Sequence, residues 1–372
     1  MKKVSVALIT YNHEKFITQA IESILMQEVD FEYEIVVGED YSTDNTRNIL
    51  IELHKQHPDK IRMLPSEQNI GAAANVVRTL EECQGEYVAY LDGDDYWVSS
   101  QKLQKQVDFF VNNPDFSICF TNAQIVYEDG LKGPSARNPA QGREIFDLVD
   151  ILNKQFIPTC TVMFRNGYLA NFPDWVCEMK STDWLMFIML ARQGKIGYLD
   201  EHMATYRVHP GGIWSSMDII GQLQENYQFL EKVNEYLGQE YKPVIEEKLA
   251  VYWDKLANEF YEMAIAQLNT QDALDCISEE LDLIIEWREA PRGWKSEVLF
   301  RVYSYFALKN FREGDYRSAR QCWIHLVKLH PSILRNLGML MVGVEAYFGR
   351  RVADSTRKIA KSFGLRHDFT EN

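Results

Sequence analysis

Asp92, Asp94 and Asp95 crowd one turn directly after the apolar run Tyr87 to Leu91, and Tyr96 and Trp97 follow at once. Carboxylates this close repel one another, so they need either free solvation or a cation held among them. A calcium loop of the EF-hand kind does not fit, because Tyr96 and Trp97 stand where that loop requires Asp or Asn and then Gly. Two readings remain: a solvated acidic turn, or a set of hard oxygen ligands for Mg²⁺ or Mn²⁺ bridged to a diphosphate. Two further residues stand out. Asp183 opens an apolar helical run behind Ser181 and Thr182, a first-turn position where the helix macrodipole favours a carboxylate. His209 stands in "YRVHPGG", a context that suits a loop closing over a ligand, although a lone histidine is more often structural.

The elements that must position these groups alternate. "VSVALIT" reads as a buried strand, and "EKFITQAIESILMQ" carries apolar residues at helical spacing. "YEIVVGED" is a second strand, followed by a turn in which Ser42, Thr43 or Asp44 can cap the next helix. "IRMLP", the helix "GAAANVVRTLEEC" and the strand before Asp92 complete a β-α-β-α-β-α-β order. That order implies an α/β fold with a mostly parallel, doubly wound sheet and ligands beyond the carboxyl ends of its strands. Thr10-Tyr11-Asn12, Glu39-Asp40 and the Asp92 turn would then face one crevice. Farther on, "SICFTNAQIVYED" and "TCTVMFR" alternate like strands around a Gly/Pro-rich loop at residues 130–142. "KIGYLDEHMATYRVHPGGIWSS" reads as two strands and a flexible Gly-Gly loop.

At 372 residues the chain suggests two domains, with a catalytic α/β region at 1–218 and an all-α region at 219–372. The second contains one tetratricopeptide-like hairpin within "FALKNFREGDYRSARQCWIHLVKLHPS". A net charge of −15 argues against nucleic acid as a partner. An anionic ligand would need a local device, and a metal between two acids is such a device. The six cysteines form no C-x-x-C pair and read as buried thiols of a reducing cytoplasm. The apolar start lacks a small-residue cleavage site and reads as a strand rather than a leader. The tail from Ile333 onward combines an apolar run with Arg335, Arg350, Arg351, Arg357, Lys358, Lys361 and Arg366. It reads either as a terminal helix with a solvated basic face or as an amphipathic contact with anionic lipid at the inner face of the cell membrane.

Seven ordered segments carry a family resemblance: "VSVALITYNHEKFITQAIESILMQ", "EIVVGEDYSTDNT", "NIGAAANVV", "GEYVAYLDGDDYW", "KLQKQVDFF", "STDWLMFIML" and "YRVHPGGIWSS". Together they resemble family 2 glycosyltransferases of the A-type fold, inverting enzymes of the kind that build bacterial surface polysaccharide. The resemblance implies that Thr10, Tyr11 and Asn12 line the nucleotide pocket, and that one of Glu39 and Asp40 reads the base. The usual Asp-Asp-Gly-Ser is here Glu39-Asp40-Tyr41-Ser42, which leaves the base open, with a UDP-sugar the first expectation. It further implies that Asn69, Gly71 and Asn75 lie near the donor, and that Asp92 and Asp94 contact donor sugar and metal. Asp94, Asp95 and His209 would hold Mn²⁺ or Mg²⁺, and Asp183 would be the base. The partners implied are a nucleotide-sugar donor and a glycan or lipid-linked acceptor. The Q-x-x-R-W motif of processive members is not evident, which favours addition of a single sugar. Two rival readings are a nucleotidyltransferase, which would want a Gly-rich basic phosphate loop that "TYNHEKF" lacks, and a degenerate adaptor acting through the helical hairpin.

Overall fold

The computed structural model describes residues 2–128, 135–137, 142–169, 171–266 and 294–332. The chain falls into two compact units, Met1–Lys248 and Leu249–Asn372. Among its described residues the first unit holds ten strands: β1 (Val4–Thr10), β2 (Tyr33–Glu39), β3 (Ile61–Pro65), β4 (Tyr87–Asp92), β5 (Tyr96–Trp97), β6 (Phe116–Tyr127), β7 (Ser135–Arg137), β8 (Ile145–Phe146), β9 (Met163–Arg165) and β10 (Lys195–Val208). They join one sheet in the order β3-β2-β1-β4-β9-β6-β10-β5, with β7 on β6 and β8 on β10.

The expected α/β sheet flanked by helices is present. It is mixed rather than mostly parallel throughout: β3, β2, β1 and β4 run parallel and so do β6 and β10, but β9 lies antiparallel between β4 and β6. β1 and β2 are buried along their whole length, as unbroken Val/Ile/Leu runs demand when helices cover both faces. Helix α1 (Ile17–Leu25) turns Ile17, Ala20, Ile21 and Ile24 inward at three- and four-residue spacing. Each fully buried Ile removes enough apolar surface to contribute about 1.5–3 kcal/mol. Helices α2 (Thr46–Gln56) and α3 (Ala72–Glu81) complete the expected crossovers, and α4 (Lys102–Asn112) follows β5. Short α5 (Leu148–Asn153) is closed by a capping box between Asp147 and Asp150. Helix α6 (Thr182–Ala191) is buried on nearly every side.

The segment read as two strands after α6 is one strand, β10, with register shifts around Leu199 and His202. The polar residues Asp200, Glu201 and His202 that suggested a break mark a bulge, which re-aims the strand without ending it. Cys83, Cys119, Cys160 and Cys322 are buried thiols outside any disulfide, as expected, whereas Cys177 is an exposed thiol.

Among the described residues four longer helices follow: α7 (Ile219–Tyr236), α8 (Lys242–Ile265), α9 (Trp294–Glu313) and α10 (Tyr316–Leu329). Helix α7 packs within the first unit, Phe229 stacking on Trp184 of α6 at 4.8 Å between ring centres. Helices α9 and α10 form a hairpin whose turn uses Gly314 at φ 85°, with Asp315 capping α10 through Ser318 N–H. No helix among the described residues is long and apolar enough to cross a membrane. Most of the Gly/Pro-rich loop at 130–142 and the basic tail from residue 333 onward lie outside the described residues.

Candidate active site

The carboxyl ends of β1, β2 and β4 meet as the strand order requires. Gly93 N–H donates to the Ile9 carbonyl at 2.8 Å and Asp40 N–H to the Thr10 carbonyl at 3.1 Å. The three carboxylates of the β4 turn then diverge. Asp92 accepts from the Tyr90 hydroxyl at 2.9 Å. Burial, and then the neighbouring charge of Asp94, push its pKa up to about 8, with Asp183 adding to the rise. Asp94 Oδ2 lies 3.0 Å from His209 Nε2 and 3.9 Å from His13 Nε2. Burial opposes ionisation there, but the His209 hydrogen bond and the two imidazoles win and hold Asp94 below the ordinary carboxylate range. Asp95 is turned inward, almost wholly buried, and accepts the Arg207 backbone N–H at 2.8 Å. Burial, followed by the charges of Asp94 and Asp92, pushes its pKa well above the usual range.

Arg207 fixes this turn from the far strand. Its guanidinium donates to the Asp94 carbonyl at 2.5 Å, to Glu128 Oε1 at 3.0 Å and to Gln19 Oε1, and lies over the rings of Phe16 and Tyr96. One strand, β10, therefore ends in both the arginine that grips the Asp94 backbone and, past it, the histidine that meets the Asp94 side chain.

At the end of β2 the acids are occupied differently. Glu39 is fully buried; its Oε1 accepts from Ser42 N–H at 2.6 Å and its Oε2 from Arg47. Asp40 accepts from Ile70 N–H at 2.9 Å and from Gly71 N–H at 3.0 Å, one on each oxygen, so it shapes the loop that Asn69 and Gly71 bring to α3. Gly71, at φ 88°, begins that helix. Asn75 is buried and donates to the Gly38 carbonyl at 2.8 Å. Thr10 is buried, while Tyr11 is exposed. Asn12, at φ 56°, accepts from Thr43 N–H at 2.8 Å on its Oδ1 and donates its own N–H to Ser42 Oγ at 3.0 Å, closing the β1 loop onto the β2 loop.

Asp183 sits on the first turn of α6, and Ser181 before it makes no side-chain cap. Gln155 Nε2 and Thr159 Oγ1 donate to its Oδ2 at 2.8 and 3.0 Å. Thr159 stands on the 3₁₀ turn Thr159–Thr161 just before β9, which pairs with β4, so the α6 carboxylate is tied to the β4 side of the sheet, and its charge adds to the raised pKa of Asp92.

Arg207, Gln155, Thr159 and His13 were not singled out from sequence as site residues. His13 shares the β1 loop with Asn12, and Arg207 stands two residues before His209; that nearness was the one available signal. Burial lowers the His13 pKa, with Asp94 opposing.

The donor chemistry bears on whether a cation fits. A carboxylate oxygen facing imidazole nitrogen suits a divalent ion of the first transition row, and carboxylates with diphosphate oxygens suit Mg²⁺. Among the described residues no group of three or more His, Cys, Asp or Glu side chains is arranged to hold a metal ion by itself. The remaining ligands of such an ion would be water and substrate oxygens, as is usual where the metal bridges to phosphate.

The family model described as glycosyl transferase family 2 matches residues 5–172. An uncharacterised protein of Mycobacterium tuberculosis is 34% identical over 213 residues, covering 57% of this chain and 61% of that relative, so the match spans less than two thirds of it. TuaG of Bacillus subtilis, a putative teichuronic acid biosynthesis glycosyltransferase, is 35% identical over 216 residues, covering 57% of this chain and 82% of that protein. Among solved structures, the mannosyltransferase PcManGT from Pyrobaculum calidifontis, in complex with GDP-Man and Mn²⁺, is 18% identical with a TM-score of 0.49, over 76% of this chain and 81% of that one.

Proposed function

Because the chain belongs to glycosyl transferase family 2, we propose that it transfers one sugar, with inversion, from a nucleotide-sugar donor to a hydroxyl of a glycan or lipid-linked acceptor in polysaccharide biosynthesis. The observation that carries this reading is Asp183, oriented by Gln155 and Thr159 and lying beside the acidic turn at the end of β4.

Both hydrogen bonds to Asp183 fall on Oδ2, which leaves Oδ1 to face an acceptor. In the proposed step the acceptor O–H bond breaks and its proton passes to Asp183. The freed oxygen bonds to the anomeric carbon from the side opposite the diphosphate, and the departing C–O electron pair stays on the diphosphate. No second carboxylate nucleophile is required for a single displacement. Asp94 and His209, with Asp95 supporting the turn, would hold Mn²⁺ or Mg²⁺, which when bound supplies charge neutralisation to the diphosphate. Asp92 contacts the donor sugar in this reading. Thr10, Tyr11 and Asn12 face the nucleotide, with Asn69 and Gly71 beyond them. Each Asp40 oxygen keeps a second lone pair for a base edge. A UDP-sugar is the donor to test first, and the teichuronic acid role named for TuaG supports a surface-polymer acceptor.

Full-length protein incubated with labelled nucleotide sugars, Mn²⁺ and lipid-linked acceptor should form a product of opposite anomeric configuration. Nucleotidyl transfer to a sugar phosphate instead, or no turnover of any donor, would replace this reading with one of its rivals. Contact of the basic tail with the cytoplasmic leaflet belongs to the same proposal. It predicts co-sedimentation with anionic liposomes that is lost at high salt, where surface attraction is screened.

A further inference from the structure

We propose that Trp97 and Gln106 are positioning residues: together they hold the 3₁₀ turn Thr159–Thr161, and through Thr159 they fix the Asp183 carboxylate relative to the acidic turn. The inference rests on the reading of Asp183 as the base.

A 3₁₀ turn of three residues is a short element with poor internal hydrogen-bond geometry, so its orientation is set by what holds it. Each of its residues is engaged. Thr159 Oγ1 donates to Asp183 Oδ2 at 3.0 Å. The Cys160 side chain hydrogen-bonds Asp95, and the Cys160 carbonyl accepts from Trp97 Nε1 at 2.8 Å. The Thr161 carbonyl accepts from Gln106 Nε2 at 2.9 Å. The turn therefore meets the proposed base at its first residue and the acidic turn at its second. Trp97 follows Asp95 by two residues, so one short stretch of chain grips the turn twice.

The orientation of Gln106 is itself determined. Its amide nitrogen carries two hydrogens for two carbonyls, that of Thr161 and, at 3.0 Å, that of Cys119. Its oxygen then takes a donor from Lys102, one helical turn earlier on α4, at 2.7 Å. A flipped amide would set its oxygen against both carbonyls. Lys102 Nζ also lies over the Trp97 ring, 4.3 Å from its centre, and so links the two holding residues. Trp97, Lys102, Gln106, Cys160 and Thr161 are all buried. Leu or Met would fill the same space without the desolvation cost of a lysine and an amide. What the polar groups add is direction.

The test uses the full chain and two substitutions that keep most of the bulk, Gln106→Met and Trp97→Phe, each deleting a donor to the turn. Each should lower kcat for sugar transfer roughly 10–100-fold, the cost of a displacement of about an ångström at the reacting groups. Calorimetry with UDP and Mn²⁺ should find nucleotide affinity unchanged. A cycle with Thr159→Val adds a readout that packing alone would not move. If Gln106 works through Thr159, adding Gln106→Met to Thr159→Val should lower kcat hardly further. Wild-type kcat in both single variants, effects that multiply in the cycle, or loss of nucleotide affinity in step with kcat would overturn the positioning role. The two readings fail separately. An inactive Asp183→Asn beside fully active Gln106→Met and Trp97→Phe removes the positioning role alone, whereas near wild-type transfer by Asp183→Asn removes the base and this proposal with it.

Discussion

Acidic residues close both β2 and β4, on either side of β1, yet the two strand ends spend their charge in opposite ways. Glu39 and Asp40 are held by Ser42, Ile70 and Gly71 N–H groups and by the Arg47 guanidinium. Asp92 and Asp94 face each other's charge, a tyrosine hydroxyl and two imidazoles. The first arrangement has its charge answered by its own loops. In the second, burial and crowding hold Asp92 and Asp95 toward their protonated forms while Asp94 stays ionised against imidazole. Position at a strand end and residue type are shared, so what separates architecture from chemistry here is the supply of donors in the adjoining loops.

The largest expected effect tests the reactive side of that contrast. Asp183→Asn should lower sugar transfer by roughly 10²–10⁴-fold while nucleotide affinity stays near the wild-type value. Transfer at a near wild-type rate would make Asp183 a helix-start residue only. Next, Asp94→Asn should weaken metal-dependent nucleotide binding in calorimetry with only a small loss in the thermal midpoint of the metal-free protein, because losing the charged acceptor of His209 is partly offset by relief of the crowding with Asp92. Glu39→Gln should do the reverse. It should cost about 1–3 kcal/mol by leaving Arg47 without its charged acceptor, and should leave Mn²⁺ binding intact. Equal destabilisation by both substitutions would erase the distinction between the two strand ends.

The smallest effect extends the comparison to positive charge. Arg47 has a carboxylate, but Lys102 is fully buried beneath Trp97, donates to Gln106 at 2.7 Å, and has no carboxylate within ion-pair distance among the described residues. Burial lowers its pKa from 10.5 to about 7. Between those values the unfolded chain binds the proton that the folded one has shed, so Lys102 makes stability rise with pH from about 7 toward 10.5 and contributes no slope below that window. Lys102→Met should flatten this part of the melting-temperature profile. An unchanged slope would mean that Lys102 stays charged in the fold.

The order of strands and helices was legible because periodicity is local: buried runs in β1 and β2, and apolar faces at helical spacing in α1 and α3. Local pattern failed where a strand changes character partway. β10 was read as two because Asp200 to His202 look like a turn, although pairing with β6 carries the strand through a bulge. "TCTVMFR" was read as a strand throughout, but Thr159–Thr161 is a 3₁₀ turn in which Thr161 Oγ1 bonds the Pro158 carbonyl at 2.7 Å, and only Met163–Arg165 pairs. The carboxylates of the site stood out by crowding and by motif. Their partners did not, because Arg207, Gln155 and Thr159 meet them only after the sheet has brought together segments far apart in the chain.

The antiparallel strand β9 has a mechanical consequence. Met163 and Phe164 pair with β4 on one side and β6 on the other, so the half of the sheet that ends in the acidic turn is stitched to the half that ends in His209. The 3₁₀ turn just before β9 carries Thr159, which orients Asp183. A shearing motion between the two halves would have to rupture this ladder, at the cost of several hydrogen bonds at once. The sheet therefore acts as a stiff chassis on which Asp183 and the acidic turn keep a constant separation. Amides of β9 should accordingly exchange with deuterium among the slowest in the protein, while the loop after β10, at residues 209–216, exchanges quickly and takes up whatever movement substrate entry requires.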